Sequence, residues 1–157
     1  MPIILADIIS RVESDDNPFA IRFEISSFAR RDEMPRNIIN SIVDIHKCSQ
    51  LTAAVLYATS WGRFQIMGFN LWGGVLGYEK TFVEYLTSPQ DQFDAFNRFT
   101  LVPRKTYQNA GWNGSEFTDQ SMLQGFSRWY NGPGAVSQYM GRMEKAASDL
   151  LAAQSKA

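Results

Sequence analysis

SWGRFQIMGFN, Ser60 to Asn70, sets one uncharged amide inside an apolar run. Gln65 stands between Phe64 and Ile66 in a segment that reads as core, and a buried amide without partners costs about 1–3 kcal/mol. Either the fold satisfies it or a bound molecule does. The apolar density from Trp61 to Phe69 predicts a short buried helix, followed by the glycine-studded loop GFNLWGGVLGY over 68–78.

Outward from that stretch the pattern is helical. Upstream, Ile4, Leu5, Ile8, Ile9 and Val12 recur at helical spacing, which predicts an amphipathic helix over residues 3 to about 13, started near Pro2 and ended by Asp15-Asp16-Asn17-Pro18. FAIRFEISSFA alternates Phe19, Ile21, Phe23 and Ile25 with Ala20, Arg22, Glu24 and Ser26, and is the main candidate for a strand. Residues 37–47 and 50–59 read as one or two helices. Downstream, Thr81–Leu86 and Pro89–Leu101 read as two more, the second burying Phe93, Phe96 and Phe99, with Pro103 after it. NAGWNGSEF (109–117) is a turn-rich connector, residues 119–129 resume helix, YNGPG breaks it, and a last helix runs from Ala135 to about Ala153. The expected class is mainly α, with about seven or eight helices and at most a small β-hairpin.

The totals bound the possibilities. A chain of 157 residues is expected to form a single domain, able to bury about two thirds of its unfolded surface. Its 20% charged and 45% hydrophobic content argues against disorder and against a membrane protein. The opening MPIILADIIS lacks a basic start and carries Asp7, so it reads as a first helix and not as a signal peptide. Fifteen basic and sixteen acidic residues, with no basic block, leave out the footprint that nucleic acid requires. One cysteine, Cys48, excludes an internal disulfide, and one histidine, His46, cannot build a His-rich metal site. His46-Lys47-Cys48 reads as a helix surface or edge. The dispersed acids lack a metal-ligand pattern, so no metal and no organic cofactor is expected.

Two kinds of residue stand out chemically. Glu13 falls at the C-terminal end of the first helix, where the helix dipole opposes a carboxylate by a few tenths to about 1 kcal/mol. The like charges of Asp15 and Asp16 and the apolar neighbours Val12 and Ile9 push its pKa upward, with Arg11 and Arg22 as possible opposition. A carboxyl kept protonated near neutrality suits a general acid, and a solvated helix-end Glu is the plainer alternative. Gln65 in WGRFQIMG and Tyr130-Asn131 in RWYNGPG place amides beside aromatic rings. Carbohydrate sites use that pairing, rings packing on the sugar face and amides bonding hydroxyl and N-acetyl groups. Gly62, Gly68, Gly132 and Gly134 would let backbone approach such a ligand. Core packing and a helix-ending turn are the competing explanations.

Three separated segments together match one pattern. RVESDDNPFAIRFE resembles the acid-bearing helix end of lysozyme-like glycosidases and lytic transglycosylases, ATSWGRFQIMGFN resembles the motif of the N-acetylmuramidases of phage endolysins, and WYNGPG resembles the turn that closes their groove. DQFDAFNRF occupies the place of their Gln-Leu-x-Ala-Phe helix, so the resemblance spans about Leu5 to Met143. It implies a lysozyme-like fold, with Glu13 at the floor of a groove between a lobe holding any hairpin and a helical lobe after about residue 60. It makes Glu13 the general acid and Glu24 a second catalytic carboxylate or a structural partner, and puts Ser60, Trp61, Gln65, Tyr130 and Asn131 in substrate binding. Asp15-Asp16 replaces the usual glycine after the Glu-Ser pair.

The resemblance implies a peptidoglycan-degrading hydrolase, a bacteriolytic glycosidase acting on the glycan strands of the bacterial cell wall as a monomer, with no nucleic acid or membrane partner. It would cleave the β-1,4 bond after N-acetylmuramic acid. A lytic transglycosylase leaving 1,6-anhydro ends, and a non-catalytic glycan-binding phage structural protein, are the alternatives. Synthesis in the host cytoplasm and action in the periplasm or wall would follow, with delivery by holin-type release, a virion or a secretion system. A net charge of −1 gives little steering toward an anionic wall from outside.

Overall fold

The computed structural model describes residues 5–101 and 120–156, and the fold is mainly α, as expected. The expected start at Pro2, Pro103 and the 109–117 connector lie outside the described residues. The chain divides into two compact units, residues 16–99 and residues 1–15 with 100–157. The division therefore falls at 15/16 and 99/100, and not near residue 60, where the resemblance put the start of a helical lobe.

In the first unit, β1 (Ile21–Phe23) is followed by a one-turn helix α2 (Ile25–Phe28), a 3-10 turn (Arg31–Glu33), α3 (Arg36–His46) and α4 (Gln50–Tyr57). Lys47, in the left-handed conformation at φ 52°, ends α3, and the Ser49 side chain accepts from Thr52 N to start α4. The chain then enters β2 (Thr59–Trp61), turns, and returns as β3 (Ile66–Met67) before the four-residue α5 (Gly68–Leu71).

The run from Trp61 to Phe69 is thus a β-turn-β unit and not the buried helix its apolar density suggested. A short apolar run does not by its periodicity distinguish strand from helix, and here the turn chemistry decides. Gly62 at φ 72° and Gln65 at φ 49° both leave the right-handed region, and Gln65 N–H closes the turn on Gly62 O at 3.1 Å. A Cβ at Gly62 would lie 2.6 Å from Gln92 Oε1, so only glycine fits. The strands form one antiparallel sheet in the order β1-β2-β3, pairing Ile21 with Trp61 and Trp61 with Ile66. It has one strand more than the expected hairpin.

The sheet's first residues also finish the helix before it. Thr59 Oγ1 donates to Val55 O at 2.6 Å and Trp61 Nε1 to Leu56 O at 3.2 Å, satisfying carbonyls that the end of α4 leaves open. In α6 (Phe82–Thr87) a Thr81–Glu84 capping box fixes the start, and Pro89 opens α7 (Pro89–Leu101). Phe96 is fully buried and stacks on Phe64 at 4.4 Å, while Phe93 and Phe99 are only half-buried. The alternating apolars Phe19, Ile21, Phe23 and Ile25 are 60, 55, 44 and 74% exposed, so the period-2 pattern located the strand without marking a buried face.

In the second unit, α1 (Leu5–Ser14) buries Leu5, Ile8, Ile9 and Val12. It packs on the long final helix, which buries Tyr139, Met143, Ala146 and Ala147. The helix before it, α8 (Gln120–Tyr130), contributes Phe126 and Ser127, and a 3-10 turn (Pro133–Ala135) leads into α9 (Val136–Gln154). The described residues hold nine α-helical segments, of which α2 and α5 are single turns that the sequence pattern did not separate. None of these helices is long and apolar enough to cross a membrane.

Candidate active site

Glu13 projects from the last turn of α1 and is half-buried. Its Oε1 accepts a 2.5 Å hydrogen bond from the hydroxyl of Tyr139, which is 2% exposed. Burial above all, and then the Glu13 charge, hold the Tyr139 pKa far above that of a free phenol, so this hydroxyl keeps its proton and stays a donor. Arg142, one turn further along α9, donates to Val12 O, and its guanidinium lies 5.8 Å from the Tyr139 ring centre. A cation at that carbonyl offsets the negative end of α1, where a carboxylate is otherwise unfavourable.

Tyr130 sits beside this pair. Its ring stacks on Phe126 at 4.9 Å and lies 6.4 Å from the Tyr139 ring, and the exposed Asn131 follows where α8 ends. Gly132, at φ 82°, and Gly134 face open space. Asp15 and Asp16, standing where the resembling family has glycine, adopt φ 53° and 64°, the left-handed conformation that glycine supplies and aspartate tolerates. The turn after Glu13 is therefore made without the glycine.

The remaining site candidates belong to the unit of residues 16–99, and there the amide of Gln65 finds its partners within the fold. Its Nε2 donates to Gly62 O at 2.9 Å and to Ala20 O at 3.1 Å. Its Oε1 is 2.8 Å from the Ser60 hydroxyl, whose other acceptor, Arg22 O, is at 3.2 Å. Ser60 is wholly buried and Gln65 is 8% exposed. The pair ties the 62–65 turn and β2 to the segment around β1.

Trp61 is 4% exposed and packs on Trp72 and Phe82 at 5.8 and 5.2 Å, as a core ring. Glu24, at the end of β1, pairs through Oε1 with Arg22 Nε at 2.6 Å, with 30% of its side chain exposed. Gly62 and Gly68 are held glycine by protein atoms, a Cβ at Gly68 meeting Leu56 O at 2.0 Å. His46, the last residue of α3, lies at the helix edge: half-buried, it stacks on Phe82, meets Trp72 edge-on, donates from Nδ1 to Ile42 O and accepts from Phe82 N–H at Nε2. Burial raises the pKa of the Cys48 thiol, the opposite of what a reactive thiolate needs.

Three residues that the sequence did not single out organise these sites. Tyr139 and Arg142 lie on α9, and a tyrosine on the buried stripe of an amphipathic helix is itself a signal, because its hydroxyl needs a partner. Gln92, fully buried, accepts from Arg63 N–H at 2.8 Å and donates to backbone carbonyls at Pro18, Tyr85 and Leu86, fastening the same turn that Gln65 fastens. Among the described residues no group of three or more His, Cys, Asp or Glu side chains is arranged to hold a metal.

Residues 40–151 match the protein-family model described as N-acetylmuramidase. That span contains Ser60, Trp61, Gln65, Tyr130 and Asn131, and Glu13 and Glu24 precede it. The chain is also 41% identical over 105 residues to an endolysin of Enterobacteria phage PRD1, an overlap of 64% of this chain and 69% of that protein. No solved structure matches.

Proposed function

This chain belongs to the N-acetylmuramidase family, as a peptidoglycan-degrading muramidase, and from that premise we propose that Glu13 is the general acid that cleaves the β-1,4 bond after N-acetylmuramic acid. The observation that carries the reading is the Tyr139 hydroxyl on Glu13 Oε1, which fixes one half-buried carboxyl at a helix end beside an aromatic ring, Tyr130, suited to a sugar face. Glu13 gives its proton to the departing glycosidic oxygen as the muramyl ring flattens toward an oxocarbenium ion. Tyr130 and Asn131 supply a ring and an amide to the glycan. Ser60, Trp61 and Gln65 hold the 62–65 turn and β2 in their own unit.

Water completes the reaction. Glu24, held by Arg22, or the exposed Asp32, serves as the base that draws its proton as the water attacks the anomeric carbon with inversion. The enzyme works at the cell wall as a monomer, released from within the host as its endolysin kinship suggests.

The test is Glu13→Gln on purified sacculi. Clearing should fall to the level of buffer while the variant keeps its unfolding midpoint; a variant that clears as fast as the parent overturns the assignment. Mass spectrometry of the released muropeptides reads the second step, because a hydrolase leaves reducing ends and attack by the muramyl 6-hydroxyl leaves anhydro ends lighter by one water.

A further inference from the structure

In the unit of residues 16–99, a cavity of about 340 Å³ opens between α2, the 3-10 turn, α4 and α5. One wall is aromatic: Tyr57 and Phe69, both half-buried, meet at 5.3 Å between ring centres. Around it stand the Ser27 and Tyr57 hydroxyls, the Arg30 guanidinium and the Glu33 carboxylate. None of these four side-chain groups has a hydrogen-bond or ion-pair partner among the described residues. Arg31 is turned elsewhere, its guanidinium 5.4 Å from the Phe28 ring centre, so Arg30 is the cation of the cavity.

The unpaired charges are the informative part. Arg30 and Glu33 are one turn apart, Glu33 N–H donating to Arg30 O at 3.0 Å, yet their side chains do not come within ion-pair distance of each other. Opposite charges so close in sequence, both lining a cavity with two hydroxyls and an aromatic wall and not paired with each other, complement a ligand that carries both signs. Arg30 lies near enough to Tyr57 for its charge to act on that hydroxyl, which groups the cation and a donor against an anion and leaves Glu33 for an ammonium.

We propose that this cavity binds an amino-acid head group, with its carboxylate on Arg30 and the hydroxyls, its ammonium on Glu33, and its aliphatic stem along Tyr57 and Phe69. Peptide stems that end in a diamino acid present such a head group on the wall polymer, so the proposal rests on the muramidase reading for its biological source, though not for its chemistry. The cavity would hold the peptide side of the substrate, apart from the glycosidic bond.

The probe is a free stem peptide ending in meso-diaminopimelic acid, which has no glycosidic bond to cleave, titrated into the full chain and followed by amide NMR. Saturable shifts are expected at Ser27, Arg30, Glu33 and Tyr57, with affinity weakened about tenfold by Arg30→Gln and by Glu33→Gln, two exposed positions whose substitution leaves the core intact. Acetylating the terminal ammonium should weaken binding to the parent and have little effect in Glu33→Gln; amidating the carboxylate should do the same with respect to Arg30→Gln. Absence of saturable shifts, equal binding of the capped peptides to the parent, or unchanged affinity in both variants overturns the site. A chain that clears sacculi without binding the peptide loses only this site, and one that binds the peptide without clearing sacculi loses only the muramidase reading.

Discussion

Tyr139 and Glu13, 126 residues apart in sequence, share a 2.5 Å hydrogen bond in which the phenol donates to the carboxyl. Two helices from opposite ends of the chain thereby fix one functional group. Because burial keeps the Tyr139 proton in place, the donor is permanent and the carboxyl cannot swing freely between rotamers.

Tyr139→Phe should therefore keep the fold and lose orientation. A phenol donating to a carboxyl that keeps its own proton contributes about 1 kcal/mol to stability, and kcat on sacculi should fall about tenfold with KM nearly unchanged. Turnover and urea unfolding measured on the same preparation check both. A variant that loses affinity for the glycan while keeping kcat would show the phenol to contact substrate instead.

Gln65 carries three hydrogen bonds inside the fold, so its removal should be felt first as instability. Gln65→Leu strips the side-chain donor from the Ala20 and Gly62 carbonyls, which keep their backbone N–H partners, and puts a branched side chain at φ 49°; it should lower the unfolding free energy by about 2 kcal/mol, against about 1 kcal/mol for Ser60→Ala. Denaturant titration measures the difference. If Gln65→Leu unfolds at the parent's midpoint and only KM rises, the amide serves the substrate and not the turn.

How far the site could be read from sequence follows from these contacts. Periodicity found α1 and the last helix, because each buries a stripe of its own residues. It failed at Trp61–Phe69, where six of nine residues are buried with no helical period; the positive φ of Gly62 and Gln65 and the Gln92 side chain at the turn are tertiary facts. Glu13 stood out because it violates helix-end electrostatics, Gln65, Tyr130 and Asn131 because they set amides beside aromatic rings, and motif resemblance added Glu24, Ser60 and Trp61. Tyr139 and Arg142 were invisible as partners because their role exists only once α9 lies on α1.

Tyr85 offers a case where deletion helps. Its ring is fully buried, and its hydroxyl has no hydrogen-bond partner among the described residues, so folding strips water from that oxygen with no return from them. Tyr85→Phe should leave the core packed and raise the unfolding free energy by up to about 1 kcal/mol. A thermal or urea midpoint lower than the parent's would mean that the hydroxyl bonds to a group or water in solution.

His46 predicts a pH dependence of stability. Burial lowers its folded pKa below 6.5, against weaker opposing effects from the Ile42 carbonyl and the Glu84 charge. The neutral ring donates from Nδ1 to Ile42 O and accepts the Phe82 N–H at Nε2, and a second proton at Nε2 would destroy the latter bond. The unfolded chain therefore binds a proton at higher pH than the folded one, so the stability His46 contributes is complete above its unfolded pKa of 6.5 and is lost as pH falls through that value toward the folded pKa. Asp91, whose pKa is lowered chiefly by the Lys80 and Tyr78 hydrogen bonds, acts in a separate window below its unfolded value of 3.8. Unfolding midpoints measured from pH 8 to 5 should decline in the parent, and His46→Gln, which loses stability at pH 8, should remove most of that slope; an equally steep decline in the variant would assign the titration to other groups.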